Sequence, residues 1–83
     1  MNMRRGLFKI STDLIESEPD VVRKIMGKCI IIRAEHLYGE RVVTYAAISP
    51  EFDEVPRGEI APEYLIEIRN RPVGYEIVFV KQE

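Results

Sequence analysis

Between Ser49 and Tyr64 the chain reads SPEFDEVPRGEIAPEY, and the carboxylates Glu51, Asp53, Glu54, Glu59 and Glu63 stand in it against Arg57 alone. Such a cluster can do three kinds of chemistry. Two carboxylates at a set separation can share acid and base work in hydrolysis, spaced ones can ligate a hard cation, and a rim of them can steer a basic partner onto apolar anchors. The first requires a second motif to hold a substrate, and none accompanies it. The second requires ligands distributed around a turn, whereas Asp53 and Glu54 are adjacent and lack the spacing of a calcium loop. The third has anchors in place, because Phe52 and Val55 lie among the acids. The residues expected to meet a partner are therefore Glu51, Phe52, Asp53, Glu54, Val55 and Arg57. The plain alternative is a solvated connection stiffened by Pro50, Pro56 and Pro62, with its charges turned to water.

Other reactive side chains are few. His36 is the only histidine. Its neighbour Glu35 points to the opposite face if both lie on a strand, so the two do not form a dyad. Cys29 follows Lys28, which favours a thiolate slightly, but the isoleucines after it mark a buried thiol. One histidine and one cysteine leave no ligand set for a transition metal, and the five glycines are too dispersed to cradle a phosphate. No catalytic residue, metal or cofactor is expected.

A chain of 83 residues with 46% hydrophobic and 31% charged residues is expected to form a single folded domain over 1–83. A net charge of −2 and a pI near 5.5 are wrong for affinity built on many phosphate contacts, so nucleic acid is disfavoured as a partner. The tyrosines at 38, 45, 64 and 75 read as core-edge residues, not as stacking platforms for bases. The start MNMRRGLFKI has neither the apolar run of a signal peptide nor that of a membrane span. Together with the lone cysteine, this places the expectation in a reducing cytoplasm, with no membrane partner.

The elements that would position these groups follow from period and punctuation. Leu7 to Ile10 alternates as a first strand. Ser11 or Thr12 can cap a helical turn over Asp13 to Ser17, which Pro19 interrupts. Ser17 and Asp20 resemble a weak capping box for a second start, and the helix runs through Met26 to Gly27. Leu14, Ile15, Val21, Val22, Ile25 and Met26 form its apolar side. Cys29 to Leu37 reads as a strand, Tyr38 to Glu40 as a turn, and Arg41 to Ile48 as the returning strand. Tyr64 to Arg69 and Tyr75 to Lys81 follow as strands joined by a turn over Asn70 to Gly74. The order β, α, β, β, β, β defines an α+β fold, one short helical segment on a mostly antiparallel sheet of four to five strands.

With Gly39 and Glu40 as the turn, Leu37 faces Val42, Ala34 faces Tyr45 and Ile32 faces Ala47. The core face then carries Ile30, Ile32, Ala34, His36, Val43, Tyr45 and Ala47. The other face, with Cys29, Ile31, Arg33, Glu35, Leu37, Val42, Thr44, Ala46 and Ile48, is only half polar. One short helical segment cannot shield both.

The run PDVVRKIM at Pro19 to Met26 and AISPEFDEVPRGEIAPEY at Ala47 to Tyr64 resemble a pattern in small proteins of tailed bacteriophages and prophages. Those proteins have no assigned chemistry, so the resemblance implies context and transfers no catalytic residue. Together with the two-sided apolar sheet, it implies a non-enzymatic accessory protein that binds a host macromolecule, as an inhibitor or anti-defence factor, and that works as a homo-oligomer. The alternative is a small-molecule or nucleotide binding protein, or a minimal enzyme, with a site at a subunit junction where His36, Arg33, Arg41 or Tyr45 would meet carboxylates.

Overall fold

The computed structural model describes residues 3–36 and 39–82. At its centre is β1 (Met3–Ser11), longer at both ends than the Leu7 to Ile10 alternation suggests. Two short helices follow, α1 (Thr12–Ser17) and α2 (Pro19–Met26), and then β2 (Ile30–Glu35), β3 (Val42–Ile48), a two-residue β4 (Glu54–Val55), β5 (Glu63–Asn70) and β6 (Tyr75–Lys81). The main sheet runs β2-β3-β1-β5-β6, with β4 paired to the start of β1. Apart from β4, the α+β order is the expected one. Every pairing is antiparallel except that of β1 with β5.

That exception explains the long connection after β3. β3 ends beside the start of β1, with Ile48 opposite Arg5, whereas β5 begins on the other side of β1, with Glu63 opposite Leu7. The chain must cross the end of β1 to get there. It does so as β4, with Val55 opposite Met3 and Glu54 opposite Arg4.

The helices are punctuated as the residue types demand. Ser11 Oγ accepts from the Leu14 N–H at 3.1 Å and caps α1. Pro19 sits in the first turn of α2, where a missing N–H costs nothing. The expected box of Ser17 with Asp20 does not form. Glu18 is the cap of α2, and the Ser17 hydroxyl donates instead to the Asp13 carbonyl at 2.7 Å. Val21 and Ile25 of α2 are buried in the core, together with Phe8, Ile10, Ala47, Phe52, Tyr64, Ile77 and Phe79.

The β2–β3 hairpin departs from the expected register over half its length. Ala34 faces Tyr45 as expected, but Ile31, not Ile32, faces Ala47, because the register shifts by a bulge between Ile31 and Arg33. One extra residue exchanges the faces of everything before it. Ile31 therefore packs on the core, while Ile30 and Ile32, both assigned to the core face from the sequence, are 70% and 54% exposed. His36 is exposed too, and its Nε2 lies 2.8 Å from the Glu40 carbonyl oxygen. The expected pairing of Leu37 with Val42 and the turn at Tyr38 fall outside the described residues.

Candidate interaction surface

The acidic crossover is strapped to β1 by its backbone. The Arg5 N–H donates to the Asp53 carbonyl at 3.3 Å, and the Leu7 N–H to the Pro62 carbonyl at 2.9 Å. The Arg4 guanidinium donates to the Phe52 carbonyl at 3.1 Å, and that of Arg5 to the carbonyls of Pro56 and Glu59, each at 3.2 Å. At the entry to the crossover, the buried Ser49 hydroxyl donates to the Lys28 carbonyl at 2.9 Å and accepts from the Glu51 N–H at 3.2 Å.

This strapping overturns part of the expected partner site. Phe52 and Val55, expected to present themselves as apolar anchors, are 1% and 4% exposed. Phe52 sits inside the aromatic cluster, 4.9 Å from Phe79 between ring centroids. Burying these two side chains is what allows so long a connection to stay ordered, because each offsets the entropy of the residues it fixes. Glu51, Asp53, Glu54 and Arg57 remain exposed. Glu51 pairs with Lys28 at 3.1 Å and Asp53 with Lys81 at 2.6 Å, so two of these acids hold the crossover to its neighbours.

Among the described residues of one chain, no carboxylate is hydrogen-bonded to the His36 ring, whose Nε2 lies by the Glu40 carbonyl. The Arg33 guanidinium pairs with Glu35 at 2.7 Å, Arg41 pairs with Asp13, and the Tyr45 ring stacks on Phe8 at 5.4 Å. Burial raises the pKa of Cys29, and the nearby Glu51 carboxylate adds to the rise, so the protonated thiol is favoured over the nucleophile. The thiol donates to the Ile25 carbonyl at 3.6 Å. The Glu76 carboxyl is held below the ordinary range by its hydrogen bond and charge contact with Arg71. Among the described residues, no group of His, Cys, Asp and Glu is arranged to hold a metal ion.

The surface that the tertiary structure does leave open is the sheet face turned away from the core. Strand alternation places Leu7, Ala46, Ile48, Leu65, Val78 and Val80 there. Ile30, opposite Ile48, joins them through the bulge. Charges of both signs frame this strip: Lys9 and Arg33 against Glu35 and Glu63. A shallow hollow of about 240 Å³ lies among Leu7, Arg33, Glu35, Thr44 and Ala46, and a smaller one of about 70 Å³ is lined by Leu7, Lys9, Thr44 and Leu65, among others. The sequence signal for this face was the half-apolar alternation of Val42 to Ile48. Leu7 and Leu65 were missed as part of it, because the pairing of β1 with β5 joins residues far apart in the chain.

The two edges of the sheet are finished differently. On β6, the Gln82 N–H donates to the Glu63 carbonyl at 2.8 Å, so the even-numbered residues of β6 bond to β5 and the odd-numbered ones turn their backbone groups outward. Lysines of α2 and its C-terminal end close that edge. Lys24 Nζ donates to the Tyr75 carbonyl at 3.2 Å and Lys28 Nζ to that of Ile77 at 2.6 Å. Lys24 also lies 4.1 Å above the Tyr75 ring. Among the described residues, β2 pairs with β3 alone.

Among the described residues, no helix is long and apolar enough to cross a membrane. Comparison of the chain with protein-family models, with curated proteins and with solved structures finds no match.

Proposed function

We propose that this chain is a non-enzymatic accessory protein of a tailed bacteriophage or prophage that acts in the host cytoplasm, as a homo-oligomer, by binding a host protein through the open face of its sheet. The observation that carries the reading is the strip of Leu7, Ala46, Ile48, Leu65, Val78 and Val80, which neither helix covers and which charges of both signs surround. An apolar centre with a polar rim is how protein contacts are built. The mixed charge fits a protein surface better than a nucleic acid, whose phosphates would call for one sign. The phage context is supported by the wording of Pro19 to Met26 and Ala47 to Tyr64, and the cytoplasmic setting by the single thiol.

The experiment places a charge in the strip. A partner captured from host lysate is purified and titrated against wild type and against Leu65→Glu and Ala46→Arg variants, with thermal unfolding as the control for folding. Binding at least tenfold weaker in both variants, about 1.4 kcal/mol, is expected. Unchanged affinity in both would move the contact elsewhere, and the exposed acids Glu51, Asp53 and Glu54 would be the next surface to vary.

A further inference from the structure

We infer that two copies of this chain join through their β2 edges, antiparallel about a two-fold axis at Ala34, so that Arg33 of each meets Glu35 of the other. The inference rests on the self-association in the reading above and assigns it an edge and a register.

The first observation is the direction of the backbone groups. In the β1–β3 ladder, the Ser49 N–H donates to the Arg4 carbonyl at 3.1 Å and the Thr12 N–H to that of Arg41 at 2.8 Å. Hydrogen-bonded pairs alternate in an antiparallel ladder, so odd-numbered residues of β3 serve β1 and even-numbered ones serve β2. Ile48, Ala46 and Thr44 thus bond toward Ile30, Arg33 and Glu35. Ala34, between the last two, directs its N–H and C=O out of the sheet.

The second observation is the contrast between edges. The carbonyls of Tyr75 and Ile77 on β6 are occupied by Lys24 and Lys28, a way of closing an edge against other strands. β2 is the outermost strand on its side of the sheet, and its Ile30 and Ile32 are left in solvent.

Charge then selects the occupant and the register. With Ala34 opposite Ala34 of the partner subunit, the flanking pairs are Arg33 with Glu35 of the partner subunit, and the reverse. Both are close, non-hydrogen-bonded positions on the open face, where opposite charges stabilise. The neighbouring registers place Arg33 against Arg33 of the partner subunit, or Glu35 against Glu35 of the partner subunit, and like charges directly opposite repel. The Arg33–Glu35 contacts, one within each chain at 2.7 Å, would be exchanged for the same number between chains. The strand is its own complement. Pairing would also run the two open faces into one continuous surface.

Sedimentation velocity across roughly 10 µM to 1 mM suits the weak association that so short an edge implies. Wild type is expected to be a dimer at the upper end. Ala34→Pro removes an outward N–H that β3 does not use, so it should sediment as a monomer with unchanged circular dichroism and thermal unfolding. Arg33→Glu and Glu35→Arg singly should each weaken the dimer about tenfold, and the double exchange should restore it to within about threefold of wild type. A wild type that stays monomeric, an Ala34→Pro protein that stays dimeric, or a double exchange no better than the singles would each overturn the inference. Leu65→Glu lies on β5, separated from β2 by β3 and β1, and should leave the dimer intact. Loss of the host partner in that variant and loss of the dimer in Ala34→Pro therefore report separately on the two readings.

Discussion

The ring of Phe52 lies 4.6 Å from that of Tyr64, stacked at 30°, and the Tyr64 hydroxyl accepts from the Asp53 N–H at 2.8 Å. A residue of the crossover and the second residue of β5 thus clamp each other from both ends. Phe52→Ala should cost about 3–5 kcal/mol in urea unfolding, as for other large-to-small changes in cores. Glu54→Ala, in the same connection but exposed, should stay within about 0.5 kcal/mol of wild type. Equal midpoints for the two variants would return Phe52 to the role of a surface anchor.

Gly6 is required by the same clamp. A Cβ there would lie 2.7 Å from Cε2 of Tyr64 and 3.0 Å from Cδ2 of Phe52. Those rings are stacked on each other and Tyr64 is hydrogen-bonded, so neither yields freely. Gly6→Ala should therefore destabilise by about 1–3 kcal/mol, despite the stabilisation that alanine gives by restricting the unfolded chain. Combined with Tyr64→Leu, the change should cost less than the sum of the two measured singly, because the smaller side chain makes room.

Closing the β6 edge is a task for Lys24 and Lys28. Replacing both with methionine keeps the apolar stems and frees the carbonyls of Tyr75 and Ile77. The variant should form larger assemblies, seen by light scattering as a rise in mass with concentration beyond that of wild type. Glu16→Gln, an exposed change on α1, should leave the mass unchanged.

Cys29 should react slowly with thiol reagents at neutral pH and reach half its maximal rate at a pH above that of the same residue in urea. Its raised pKa comes from burial first and from Glu51 second. Because the folded value lies above the unfolded one, the stability that Cys29 contributes is fully present below the ordinary thiol pKa and is lost as the pH rises through the raised value. Glu51→Gln should lower the reaction midpoint partway, and Cys29→Ala should flatten the alkaline side of the stability curve. A midpoint identical in folded and unfolded protein would contradict both.

Local chemistry was enough to settle much of this molecule. Ser11 and Pro19 mark the helix starts, because capping and a missing N–H act within a few residues. The spacing of Val21 and Ile25 determined which side of α2 is buried, and the expected hairpin register placed Ala34 opposite Tyr45, as the structure does. Tertiary structure alone decided the rest. Whether Phe52 and Val55 face a partner or the interior depends on where the crossover passes over β1, and no neighbour in the chain carries that information. The bulge at Ile32 turned Ile30 outward for a similar reason: alternation reports that two faces exist, while a single inserted residue settles which one meets the core. The open face itself arises only when β1 and β5 lie side by side, since Leu7 and Leu65 share no local pattern and become neighbours through pairing alone.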